Sequence, residues 1–233
     1  MSLIAALAGI AGRAFAQDAD STLNGYVTLA NGYWSYGLSQ NDGTSLQAGI
    51  DFEHRSGWFV GARAANVSYE IEYSYAEPRD IEANAYGGYH RRGTNWSWAV
   101  TAGRYYYPGT AISYDYNELS GTVGFNDRVF YTASYSDDFY GSSRSALNQE
   151  ISFALPLPGD VEIGAVLGHF RLESSDFDYT HWNVGVSKVL RRVALDLRYY
   201  DSGYDQVTWL GDPSSNQTVL SVSYALRGAK PKI

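Results

Sequence analysis

The sequence predicts an all-β protein, a single transmembrane antiparallel up-and-down β-barrel of about twelve strands, with ten or fourteen compatible with the same spacing. Three observations carry this: a period of two along the chain, a parity in connection lengths, and charges that keep to one side of the alternation. Leu220, Val222, Tyr224 and Leu226 interleave with Ser221, Ser223 and Ala225. Val193, Leu195, Leu197 and Tyr199 interleave with Ala194, Asp196, Arg198 and Tyr200. Period two puts one set on each face of a strand. An apolar exterior around a polar interior suits a bilayer rather than an aqueous compartment.

The elements follow in order. Strands are expected at 22–34, 44–54, 58–69, 80–91, 96–108, 113–126, 129–138, 147–157, 161–173, 179–190, 193–202 and 217–227. Most are at or somewhat above the roughly 9–11 residues a tilted strand needs to cross the hydrocarbon layer. Tight connections read as Arg55-Ser56-Gly57, Arg92-Gly93-Thr94-Asn95, Asn126-Asp127-Arg128, Pro158-Gly159-Asp160 and Arg191-Arg192. The alternate ones, 35–43, 70–79, 109–112, 139–146, 174–178 and 203–216, are mostly longer. Short turns at one rim and long loops at the other fit periplasmic turns and extracellular loops. Residues 17–233 therefore form one domain.

Facing follows from the cost of a charge in lipid, about 2–4 kcal/mol at the midplane. Outward residues are expected to include Val27, Leu29, Leu46, Ala48, Ile50, Phe52, Trp58, Val60, Trp96, Trp98, Val100, Ile151, Phe153, Leu155, Trp182, Val184 and Val186. Inward lie Gln47, Asn84, Tyr86, His90 and the charged Asp51, Glu53, Arg63, Glu82, Glu118, Glu150, Glu162, Asp196 and Arg198. Those nine charged residues are the expected pore-lining set, with a net negative wall. Asp51 and Glu53 should stand about 6–7 Å apart on one strand, partly paired with Arg63 of the next. Inward positions such as Gly185 and Asp51 should accept a polar substitution more readily than Val184 or Ile50.

Composition agrees. The chain has 233 residues, no Cys, 21 Tyr, 6 Trp and a formal charge of −8. The Tyr-weighted aromatics suit girdles where rings meet head groups. Mean hydropathy is slightly negative because lumen-facing residues cancel lipid-facing ones in any window. Acidic balance without Lys/Arg runs argues against a nucleic-acid partner. Residues 1–16 read as an export signal: an apolar run from Leu3 to Gly12, then Ala14-Phe15-Ala16 before Gln17. No basic residue precedes that run, the pattern of a signal truncated at its start.

Catalytic readings weigh little. His181, Trp182, Asn183 and Ser187 suggest a barrel lipase, but alternation turns His181, Asn183 and Ser187 inward, away from a lipid ester. Asp51 with Glu53 suggests a glycosidase or aspartyl-protease pair, yet a solvated wall explains both more simply. His54 and His169 lie near strand ends, and the scattered His show no metal spacing. Gly87, Gly88 and Gly124 read as barrel devices rather than phosphate loops. No enzyme activity, metal or cofactor is expected.

Gly37-Leu38-Ser39-Gln40, Gln47, Gly49, Asp51, His54-Arg55-Ser56-Gly57, Gly61 and Asn66-Val67 resemble the opening signature of a TorF-type proteobacterial porin family, formerly catalogued as uncharacterised outer-membrane proteins. The likeness continues through Glu82, Tyr86-Gly87-Gly88-Tyr89, Tyr107-Pro108-Gly109 and Asp115-Tyr116-Asn117-Glu118. It resumes at Asp138-Phe139-Tyr140-Gly141, Asp178-Tyr179, Gly185-Val186-Ser187-Lys188 and Arg198-Tyr199-Tyr200-Asp201. Tyr36 departs from it, standing where such proteins carry Arg before the Gly. The chain also continues past its last strand as Gly228–Ile233 rather than ending on an aromatic residue.

The resemblance implies an outer-membrane barrel of a Gram-negative bacterium, and a porin passing small hydrophilic solutes or ions. The acidic wall adds an expected cation preference. The alternatives are a non-conducting barrel whose loops bind a partner, such as 203–216 with Trp209 and Leu210, and an outer-membrane enzyme.

Overall fold

The computed structural model describes residues 21–41, 43–68, 81–109, 113–173, 178–203 and 216–226. The expected export signal at 1–16, the tail from Gly228 and most of loop 203–216 lie outside them. Twelve strands close into one antiparallel barrel. They are β1 (Ser21–Ala30), β4 (Ser45–His54), β5 (Trp58–Asn66), β6 (Ile81–Arg92), β7 (Trp96–Tyr106), β8 (Tyr116–Phe125), β9 (Val129–Ser136), β10 (Ala146–Leu157), β11 (Val161–Leu172), β12 (Asp178–Leu190), β13 (Val193–Ser202) and β14 (Asn216–Ala225). Two short strands, β2 (Tyr33–Ser35) and β3 (Leu38–Asn41), pair with each other outside that ladder.

Every barrel strand pairs with its neighbours in sequence, and β1 closes the ring on β14. Among the described residues the seam pairs Tyr26 with Ala225 through to Ala30 with Ser221, and the Leu226 amide donates to the Gly25 carbonyl at 2.8 Å; β1 is matched to β4 along its whole length. The described strands satisfy one another's backbone groups laterally, the condition for crossing hydrocarbon with strands. No helix among the described residues is long and apolar enough to do so.

The alternation resolves as the charge argument requires. Leu46, Ile50, Trp58, Val60, Phe153 and Val184 are exposed on the exterior, while Asp51, Glu53, Glu82 and Glu118 are buried within. Trp58 packs edge-on to Tyr89 at 4.9 Å and Trp96 against Phe125 at 4.7 Å, near the short-turn rim. Tyr106, Tyr135 and Trp182 are exposed towards the other rim. Gly124 faces the ring of Phe130, which a Cβ would strike at 2.6 Å.

Two expectations need correction. The first strand stops at Ala30, not residue 34, and the rung beyond it is made by Asn31, whose amide donates to the Leu220 carbonyl at 3.3 Å. The Asn31 carboxamide accepts from the Leu220 amide (2.7 Å) and donates to the Thr218 carbonyl (3.2 Å). Gly185 will not accept a larger residue easily: its Cβ would meet the Leu197 carbonyl oxygen at 2.8 Å and Arg198 Cα at 3.0 Å. Backbone, not water, stands opposite it.

Candidate functional site

The first long connection, expected to be an extracellular loop at 35–43, turns into the barrel. At Gly32 the chain passes close to β14: a Cβ there would meet the Gln217 carboxamide at 2.4 Å, so that side chain would have to move. The chain then folds as the hairpin β2–β3, with Ser35 opposite Leu38. Tyr36 and Gly37 form its two-residue turn, both at positive φ (49° and 76°), as tight hairpins require.

Its contacts reach around the ring of strands. Tyr33 donates to Glu82 on β6 (2.9 Å) and Trp34 Nε1 to Gln217 on β14 (2.6 Å). At the tip, the Tyr36 phenol donates to Glu118 on β8 (2.6 Å), and Tyr179 of β12 donates back to the Tyr36 carbonyl (2.8 Å). Gly37 lies so close to His181 that a Cβ would fall 2.2 Å from the His181 Cβ. Trp34 stacks on Tyr200 at 5.5 Å and Tyr36 on Phe170 at 6.2 Å. Loop 137–145 leans in as well: Tyr140 donates to Gln40 (3.2 Å) and packs against Tyr107 and Tyr116. The long-loop half of the lumen thus holds an aromatic core of its own.

The nine predicted residues fall into two tiers. Towards the long loops, Glu82 also accepts from Tyr107 (2.8 Å) and Glu118 from Ser120 (3.3 Å). Glu150 accepts from Asn148 (3.0 Å), whose carbonyl oxygen accepts from His181 (3.0 Å). Arg63, expected beside Asp51 and Glu53, lies opposite Gly49. It donates to the Tyr33 hydroxyl and comes within 3.5 Å of Glu82. Towards the short turns, Asp51 accepts from Tyr86 and Glu53 from His90 at 2.7 Å. Arg198 spans from Asp196 (3.2 Å) to Asn183 (2.8 Å). Glu162 and Asp196 flank Ser187 in register on the facing wall.

The hairpin residues Tyr33, Trp34 and Tyr36 and their wall partner Gln217 did not emerge from the sequence as site residues. Tyr36-Gly37 between two short alternating stretches was the available local sign. Tyr36 puts a hydrogen-bond donor on an acidic wall, where the resemblance leads one to expect a positive charge.

A family model described as a bacterial protein of unknown function (Gcw_chp) matches residues 15–224. No curated protein matches the sequence. Among solved structures the chain is similar to the KdgM porin at 11% identity and a TM-score of 0.54, over 88% of this chain and all of that one. It is similar to the NanC porin at 8% identity and 0.53, over 85% and 97%. Omp33 of Acinetobacter baumannii matches at 8% identity and 0.50, over 87% and 96%. These likenesses concern the fold. A closed antiparallel barrel with an apolar exterior and aromatic rims is an outer-membrane architecture.

Proposed function

The chain belongs to the Gcw_chp family of bacterial proteins of unknown function, and on that premise we propose that it is an outer-membrane porin, a passive path for small hydrophilic solutes or ions that prefers cations. The observation that carries this is the charge of the inward face. Asp51, Glu53, Glu82, Glu118, Glu150, Glu162 and Asp196 face inward against Arg63 and Arg198. A narrow path with low-dielectric walls focuses such a field and concentrates counter-ions. The resemblance to TorF-type porins supports the same reading, and residues 1–16 as an export signal agree with it.

The permeant class proposed here differs from the ligand seen in a structural neighbour. The KdgM porin has been solved with disordered oligogalacturonate, a polyanion. An acidic wall repels polyanions, so the permeant class here is cationic or neutral. A second reading, a non-conducting barrel whose loops bind a partner, is favoured by the hairpin that fills part of the lumen.

Reversal potentials in planar bilayers across a salt gradient test both. The expected result is cation preference that weakens as salt rises, since screening shortens to about 3 Å at 1 M. Anion preference would overturn the assignment of the wall, and absence of conductance at every voltage would favour the binding barrel.

A further inference from the structure

We propose that the hairpin Tyr33–Asn41 is the size-selecting element of this barrel, a crossbeam set across the lumen rather than a loop over its mouth; this rests on the porin reading. The chain enters between β1 and β4. Tyr33 is held by Glu82, two strands round from β4, and Trp34 by Gln217 on β14, the neighbour of β1 on the other side. The tip passes beyond the centre. Tyr36 reaches Glu118, four strands from β4 one way, and accepts from Tyr179, three strands from β1 the other way.

A segment fastened on both flanks and at its tip divides the cross-section between the walls. Whatever crosses must pass beside it, next to the carboxylates that hold it. The limit on solute size is therefore set by the hairpin rather than by the barrel's circumference. Its fastenings are directional. Two phenols donate to two carboxylates, an indole donates to a carboxamide, and two aromatic stacks fix the orientation of the rings. Burial of aromatic faces alone would let the hairpin slide; these bonds fix its depth.

The fold supplies a clean way to remove it. Ala30 pairs with Ser45 at the end of the β1–β4 ladder, the spacing a two-residue turn closes. Replacing residues 31–44 by Asn-Gly should give a barrel without a crossbeam. Conductance in sodium chloride, with neutral polyethylene glycols of graded size as probes, is compared with that of the unmodified protein. The proposal expects conductance several-fold higher and exclusion of only larger polymers. Conductance in the unmodified chain with no change in the shortened one would overturn the proposal and leave the porin reading standing. Conductance by the shortened chain alone would support it in its strongest form, and conductance by neither would overturn both. If the shortened chain shows no heat-modifiable folded form, the double variant Tyr33→Phe, Tyr36→Phe decides. Loosening the beam should raise conductance and the size limit, while unchanged values would sink the proposal.

Discussion

Glu82 and Glu118, in the long-loop half of the lumen, accept hydrogen bonds from a hairpin that leaves the rim and returns inward. Asp51 and Glu53, in the short-turn half, accept theirs from Tyr86 and His90 of the barrel wall itself. The same residue type on the same face of one sheet thus meets two surroundings. In the first, a carboxylate positions a tertiary element and is itself positioned. In the second its partners belong to the wall itself, and on the porin reading its charge is its main contribution. Substitutions at the two ends should therefore have effects of different kinds as well as different sizes.

The largest effect is expected at Trp34→Ala, which removes the stack on Tyr200 and the bond to Gln217. Truncating a buried aromatic costs about 3–5 kcal/mol, read from urea unfolding in detergent. A loss below about 1 kcal/mol would mean that the hairpin packs loosely, since exposed substitutions fall in that range.

Next come two glycines at opposite ends of the barrel. Gly37→Ala adds a Cβ at positive φ against His181, an expected loss of about 2–5 kcal/mol from left-handed strain plus overpacking. Gly159→Ala, in a short turn with positive φ and nothing within 4 Å of the added Cβ, meets only the strain, about 1–2 kcal/mol. Equal losses would erase the distinction between the ends.

The double change Asp51→Asn, Glu53→Gln should lower cation preference in reversal-potential measurements, with the folded barrel retained on heat-modifiable gels. Unfolding would show that those carboxylates are structural. Arg92→Ala, which breaks the partly exposed pair with Asp127 near the short-turn rim, should change stability by no more than about 1 kcal/mol.

The barrel itself was legible because lipid and water sort residues at every second position. Ile50 beside Asp51 and Val184 beside Gly185 declare the two faces without any tertiary knowledge. Gly185 shows where that reasoning stops. It faces the lumen as the alternation says, but only the fold brings the Leu197 carbonyl into the space a side chain would need. The hairpin was illegible for a similar reason. Tyr33 and Trp34 continue the alternation of β1, so the pattern runs on past Ala30. Where the chain leaves β1 it is tied to residues far along the sequence, Asn31 to the Leu220 amide and Trp34 to Gln217. Local pattern decides that a hairpin forms; distant partners decide whether it points into the lumen or away from it.

The seam where β1 meets β14 and closes the ring gives the crossbeam a mechanical duty. It is the one ladder of the ring made between strands far apart in sequence. Asn31 is bonded to β14, Thr28 meets Ser223 at 2.7 Å, and Trp34 reaches over the join to Gln217. Those side chains rivet the joint from within. Under tension, as between two attachment points in force spectroscopy, the barrel would open where β1 meets β14 only after the rivets shear, so losing Trp34 should lower the force at which the ring first parts.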